Sequence, residues 1–237
     1  MNPSVTLLVP TLNEEEGMRR IMPRVKREWV HQILVVDGGS TDGTVEYARK
    51  QGYDVHLQTG KGIRNAYQEA WPLIRGDIVV TFSPDGNCVP ELIPKLVEKM
   101  KEGYDMVVAS RYLDGAKSED DSPVTRFGNW LCTHVLVNGL HGANYTDAMG
   151  IYRAHRRALF YELDIDKDEG YATEKLWFTH IGCEPLMSTR AAKRKLKVAE
   201  IPGDEPKRIG GEAKLKLIQW GGALFTQVIR ELWYWRK

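Results

Sequence analysis

The sequence predicts an α/β fold: a mainly parallel sheet with helices on both faces. Three observations predict it. Apolar runs at residues 4–9, 33–36, 77–82 and 106–109, and a weaker one at 54–57, have the length of buried strands. Segments with helical spacing lie between them, and strand–helix alternation of this kind requires crossover connections and so a parallel sheet. Polar loops follow the first, second and fourth runs, at the strand ends where such sheets bind ligands.

Each element follows from its residues. The run at 4–9 ends at Pro10, which has no N–H for a ladder. Met18, Ile21, Met22, Val25 and Trp29 then recur at helical spacing. The run at 33–36 is bounded by Asp37-Gly38-Gly39, and 44–49 reads as the next helix. Residues 54–57 precede a helix over 63–73. The fourth run stops at Ser83-Pro84-Asp85-Gly86, and 91–101 carries Leu92, Leu96 and Met100 on one stripe before the fifth strand. The second half is less regular. Residues 113–125, with Lys117-Ser118-Glu119-Asp120-Asp121-Ser122-Pro123, read as a mobile loop, and 126–140 and 173–181 read as helices. In the tail, Leu217, Gly221, Leu224, Val228 and Leu232 share a stripe with Phe225 beside it. The expected organisation is one domain over 1–214 and an amphipathic C-terminal helix over 215–237. Trp220, Trp233, Tyr234 and Trp235 crowd that helix, which suits packing on the domain, on a second copy of the chain or at a membrane surface.

Composition removes several classes of function. Among 237 residues, 42% are hydrophobic and 27% charged, which is ordinary for a folded chain and excludes global disorder. The charge sum, 33 − 32 = +1, gives no field that would favour nucleic acid. Cys88, Cys132 and Cys183 form no CxxC pair, so neither a disulfide scaffold nor a cysteine zinc site is expected. The first residues lack a basic, long-apolar leader and no stretch is long and apolar enough to span a bilayer, so the cytoplasm is the expected compartment.

Three loops can carry chemistry. Pro10-Thr11-Leu12-Asn13-Glu14 enters a helix, where free N–H groups and short polar side chains suit an anion; an ordinary helix cap reads the same way. In Asp37-Gly38-Gly39-Ser40-Thr41-Asp42, two glycines allow close backbone approach, and Asp37 can accept hydrogen bonds from a ribose or base; a tight turn with Asp42 as cap is the alternative. In Ser83-Pro84-Asp85-Gly86-Asn87, a carboxylate with an oxygen-bearing side chain two residues on suits Mg²⁺ or Mn²⁺, with diphosphate oxygens completing the shell. A simple Pro-Asp-Gly turn also fits that stretch. Gly60-Lys61-Gly62 precedes a helix but lacks both the third glycine of a dinucleotide fingerprint and a P-loop ending.

The order and spacing of the three loops resemble family-2 glycosyltransferases of the GT-A fold, which use nucleotide-diphosphate sugars. The resemblance is closest over residues 4–112. It implies that Pro10, Thr11, Asn13, Glu14, Asp37, Gly39 and Ser40 hold the donor nucleoside, that Pro84 and Asp85 face its diphosphate, and that Lys61, Gly62 and Arg64 add donor-side contacts. It implies a metal on Asp85 and Asn87, although the first Asp of the usual DxD motif is Ser83 here, and Asp37-Gly38-Gly39-Ser40 stands for the common DDGS. Ala109-Ser110-Arg111-Tyr112, Thr146-Asp147-Ala148-Met149-Gly150-Ile151-Tyr152-Arg153 and Arg208-Ile209-Gly210-Gly211-Glu212-Ala213-Lys214-Leu215 are similar to segments of dolichyl- and polyprenyl-phosphate sugar synthases. The resemblance implies inverting, metal-dependent sugar transfer to a polyprenyl or dolichyl phosphate, with peripheral contact at the membrane. A small soluble phosphate, phosphonate or hydroxyl acceptor, or a degenerate nucleotide-sugar-binding subunit, is the alternative. Arg111, Arg126, Arg208 and Lys214 are the expected acceptor-phosphate residues, because guanidinium forks suit phosphate. Asp147 is the expected second catalytic carboxylate, as a base or as a holder of the donor sugar.

Overall fold

β1 (Val5–Thr11) lies inside a seven-stranded sheet of order β3-β2-β1-β4-β6-β5-β7. The computed structural model describes residues 3–209 and 217–235. β2 (Gln32–Asp37), β3 (Asp54–Leu57) and β4 (Ile78–Thr81) run parallel to β1, while β5 (Met106–Ser110) pairs in parallel with β7 (Val198–Pro202). β6 (Arg153–Arg156) lies antiparallel between β4 and β5. β1 continues through Pro10 to Thr11. Its even-numbered carbonyls face β4, as Phe82 N–H donating to Leu8 shows, so the missing Pro10 N–H also faces that side, where the β4 pairing has ended.

Side chains alternate between two cores. Leu7 and Val9 join Met18, Ile21, Tyr47, Ala48, Ile93 and Leu96 from α1 (Glu15–Ile21), α2 (Thr44–Lys50) and α4 (Ile93–Lys101). Leu8, Leu34 and Val79 join the opposite core, with Tyr67 of α3 (Ile63–Ala70). That second core also takes side chains from the π-helical stretch Leu131–Asn138, which lies between α5 (Pro123–Trp130) and the short α6 (Gly139–His141). It is completed by α7 (Leu159–Glu162), α8 (Thr173–Trp177), α9 (Glu184–Lys193) and α10 (Leu217–Arg230).

Several expected boundaries move for local reasons. The helix from Met18 towards Trp29 stops at Ile21, because Pro23 cannot continue the ladder, and two 3₁₀ turns follow. The helix after β3 tightens to 3₁₀ at Trp71–Leu73, which contains Pro72. The helix begun at Thr173 ends at Trp177, where Phe178 adopts φ 50°. Residues 113–122 are not a free loop. Glu119 N–H donates to Glu205 O and Glu205 N–H to Lys117 O, at 2.8 and 2.9 Å, so this segment pairs with the chain leaving β7. In α10 and the turn after it the buried face is Ala223, Leu224, Gln227, Val228 and Glu231, while Leu232 of the expected stripe and Phe225 beside it are exposed. Two polar residues can be buried there because Gln227 donates to Gly170 O and Glu231 accepts from Arg190. Among the described residues no helix is long and apolar enough to cross a membrane.

Candidate active site

The parallel strands deliver their following loops to one edge of the sheet, and reversed β6 brings its preceding segment to the same edge. The loops after β1 and β2 are stitched together. Thr11 Oγ1 donates to Asp37 Oδ2 at 2.9 Å, Asn13 N–H to Ser40 Oγ at 2.7 Å, and Thr41 N–H to Asn13 Oδ1 at 2.8 Å. Glu14 N–H donates to Thr44 Oγ1 and Glu15 N–H to Asp42 Oδ2. Asp37 is buried, and its carboxylate also receives Gly39 N–H, Ser40 N–H and Ser40 Oγ. It is therefore the anchor of both loops, where the sequence suggested a direct ligand contact. Pro10, Thr11, Asn13, Glu14, Gly39 and Ser40 all lie at this edge.

The loop after β4 is set by two close approaches. A side chain on Gly17 of α1 would bring its Cβ to 2.4 Å from Pro84 O, so only glycine lets that helix lie against the loop. Gly86 has φ +100°, and Ile209 packs where its side chain would be, with Ile209 N–H donating to Asp85 O. Asn87 N–H donates to Asp85 Oδ1 at 3.1 Å, and its amide donates to Asp120 Oδ2 at 3.0 Å. Arg208 reaches into this loop: its guanidinium lies 2.7 Å from Asp120 Oδ2 and 3.8 Å from Asp85 Oδ2. Burial alone would raise the Asp120 carboxyl, but hydrogen bonds from Arg208 and Asn87 outweigh it and hold it below its ordinary value.

A second ionic cluster sits beside the first. Asp147 is fully buried and takes Arg111 as a two-point partner, at 2.6 and 3.0 Å, together with the N–H groups of Met149 and Gly150. Arg111 also approaches Glu205 at 3.4 Å and lies over the Tyr112 ring. Burial opposes the charge on Asp147, yet Arg111 overrides it and lowers the carboxyl pKa. Arg111 is paired with Asp147 and Glu205, and both Asp147 oxygens are occupied. Glu200 accepts from Thr146 and from Asp147 N–H, and buried Arg153 donates to the carbonyls of Ala148 and Gly150, fixing the same turn.

The other expected residues divide. Gly62, with φ +86°, and exposed Lys61 lie beyond β3 at the ligand edge. Arg64 binds Asp168 and Glu174 and stacks on Tyr171. Arg126 is exposed on α5, apart from the Arg111 and Arg208 clusters. Lys214 lies outside the described residues. The sequence reading missed Asp120, Glu200 and Glu205. For Asp120 the available signal was the acidic run Glu119-Asp120-Asp121 between Arg111 and Arg126; no comparable run marks Glu200 or Glu205.

A divalent cation fits the loop after β4. Among the described residues Asn87 Oδ1 is buried with no hydrogen-bond partner, and it adjoins the Asp85 carboxylate, giving the hard oxygen donors that Mg²⁺ and Mn²⁺ prefer. Among the described residues no group of three or more His, Cys, Asp or Glu side chains could hold a metal by itself, so diphosphate oxygens or water would have to complete its shell.

Comparison with known proteins matches this architecture. The glucosyl-3-phosphoglycerate synthase of Mycobacterium tuberculosis, solved with Mn²⁺, UDP and glucosyl-3-phosphoglycerate, superposes with TM-score 0.64 at 18% identity, over 97% of this chain and 80% of that one. The fold is GT-A, and the chain is a glycosyltransferase that uses nucleotide-sugar donors. It belongs to glycosyl transferase family 2, whose family model matches residues 6–164. Glycosyltransferase AglJ of Haloferax volcanii is 31% identical, over 96% of this chain and 71% of the relative. The undecaprenyl-phosphate mannosyltransferase of Micrococcus luteus is 29% identical, over 95% and 97%. The dolichol-phosphate mannosyltransferase of Pyrococcus furiosus is 30% identical over 90% of this chain, which spans 59% of that protein.

Proposed function

We propose that the chain transfers a sugar, with inversion, from a nucleotide-diphosphate sugar to a polyprenyl phosphate, and that it requires Mg²⁺ or Mn²⁺. One observation carries the lipid acceptor. Helix α5 begins two residues beyond Asp120–Asp121 at the ligand edge and exposes Val124, Phe127 and Trp130, with Phe127 and Trp130 stacked and Arg126 exposed on the same helix. An apolar helix face with a cation suits the boundary between headgroups and acyl chains. The names of the polyprenyl-phosphate relatives support the same substrate class.

The chain's own residues define the chemistry. The joined loops after β1 and β2 present the nucleoside site, with Asp37 holding their shape. Asp85 and Asn87 would hold the cation, which when bound offsets charge on the leaving diphosphate. An acceptor phosphate oxygen forms the new bond to the anomeric carbon from the side opposite the diphosphate. The anomeric C–O bond breaks, and its electron pair leaves with the nucleoside diphosphate. An ionised phosphate needs no proton removed, which agrees with an Asp147 that has no free oxygen and acts by fixing Arg111. Arg208 is the candidate acceptor clamp.

The test is transfer of label from UDP-, GDP-, CDP- and dTDP-sugars to undecaprenyl or dolichyl phosphate in detergent with Mn²⁺. Label should enter the organic phase and resist base hydrolysis only as the phosphodiester does. Label that stays aqueous with every donor, while a soluble phosphate acceptor is glycosylated, would overturn the lipid assignment.

A further inference from the structure

We infer that Asp120 is a cation-holding carboxylate of this chain, supplying the charge absent at Ser83, and that Arg208 is the counter-ion a divalent cation must displace. The inference rests on the cation reading of the loop after β4 and deepens it. Family members with two aspartates in that loop carry both charges on one turn; this chain has one, Asp85.

The second charge arrives from the segment after β5. Asp120 is held against the loop by Asn87, whose backbone N–H binds Asp85 and whose amide nitrogen binds Asp120. Asn87 thus spans the two carboxylates, and its amide oxygen is buried with no hydrogen-bond partner among the described residues. Fixing the amide nitrogen on Asp120 also fixes which way that oxygen points. Among the described residues the cationic group that reaches both carboxylates is the Arg208 guanidinium, 2.7 Å from one and 3.8 Å from the other. Two carboxylates brought together need a positive charge to offset their repulsion, and a guanidinium provides it without meeting the demand of Asn87 Oδ1, which is an acceptor. A divalent cation meets both. Its entry would release Arg208, whose planar fork then becomes available to the acceptor phosphate. Loading of the cation and readiness for the acceptor are thereby coupled through one side chain.

The pairing of the segment containing Asp120 with the chain leaving β7 makes this possible. Glu119 N–H donates to Glu205 O and Glu205 N–H to Lys117 O, across the same two segments that carry Asp120 and Arg208. The carboxylate is therefore positioned by backbone register and not by a flexible loop.

Binding of Mn²⁺ to the full chain, read by loss of the free-ion electron paramagnetic resonance signal, tests the assignment without turnover. Asp120→Asn should weaken Mn²⁺ binding at least tenfold at unchanged melting temperature. Ser83→Asp should restore most of that loss in the Asp120→Asn background, while adding less than about threefold to the wild type, because one second charge suffices. Arg208→Ala should tighten Mn²⁺ binding by removing the competing cation, and this variant alters only a partly exposed side chain if Asp120→Asn proves unstable. Wild-type affinity in a folded Asp120→Asn protein, or weakened affinity in Arg208→Ala, would overturn the inference and leave the cation reading standing. Absence of Mn²⁺ binding by the wild type, alone and with UDP or GDP, would overturn both.

Discussion

Asp85 and Asp37 are both carboxylates at strand ends, and their surroundings give them opposite parts. Asp85 uses one oxygen for Asn87 N–H and turns the other towards Arg208, so part of its coordination remains for a ligand. Asp85→Asn should keep the melting temperature and lower transfer at least ~100-fold, the usual scale for losing charge stabilisation at a leaving group. Assay of a folded variant under saturating donor checks this. Asp37 directs its oxygens inward, to Thr11, Gly39 and Ser40. Asp37→Ala strips several donors of their acceptor and should cost about 1–3 kcal/mol of stability together with nucleotide affinity. Calorimetry with UDP and GDP beside thermal melting decides the matter: lost affinity at unchanged stability would make Asp37 a direct contact after all. The sequence placed both residues at the ligand edge, because strand-end position follows from the apolar pattern. It could not separate their roles, since a carboxylate that caps its own loop and one that meets a ligand leave the same local pattern. Arg111 and Asp147 show the same limit, for they are 36 positions apart and only the fold reveals that they neutralise each other.

Among the elements, those with regular apolar patterns were legible and those with buried polar groups were not. β6 reads Arg-Ala-His-Arg, which resembles no strand; Arg153 is accommodated because Ala148, Gly150, Glu184 and Ser188 all accept from it. α9 hides Ser188, Thr189 and Arg190 along with its apolar residues, so no amphipathic stripe marks it. The C-terminal helix was legible as amphipathic, but its inward face depends on one ion pair. Arg190 and Glu231 are 1% and 0% exposed and meet at 2.9 Å, with Trp235 over the guanidinium. Glu231→Ala leaves a buried guanidinium without its charge partner and should destabilise the protein by about 3–5 kcal/mol in urea unfolding. The double variant Arg190→Met with Glu231→Leu should recover most of that loss, since it removes both charges together.

For the molecule as a whole, the sheet separates two cores, and the central reversed strand carries a histidine that sets an acid limit on stability. Burial holds the His155 imidazole down at about 4, with Arg153 and Arg156 adding to the effect. Stacked against Trp71, it is neutral in the native state at pH values where the unfolded chain is already protonated. Its contribution is therefore fully present above about pH 6.5 and is lost as pH falls towards 4, by roughly 3 kcal/mol over that interval. His155→Phe should flatten the stability profile between those limits in denaturant titrations at pH 7.5, 5.5 and 4.5. An unchanged slope would assign the acid sensitivity to other groups. The same reversed strand has a consequence in time. β4 and β5 are consecutive in the chain yet never touch, because Arg153–Arg156 comes between them, and the other neighbour of β5 is the still later Val198–Pro202. The parallel set β1 to β4 can close as soon as it is made, whereas β5 must wait for partners far downstream, a costly order of loop closure. Pulse-labelled hydrogen exchange during refolding should protect the amides of β1, β2 and β4 before those of β5. In that interval the inner edge of β4 stands open, so the nascent half-sheet is the stage at which this chain is most exposed to misassembly.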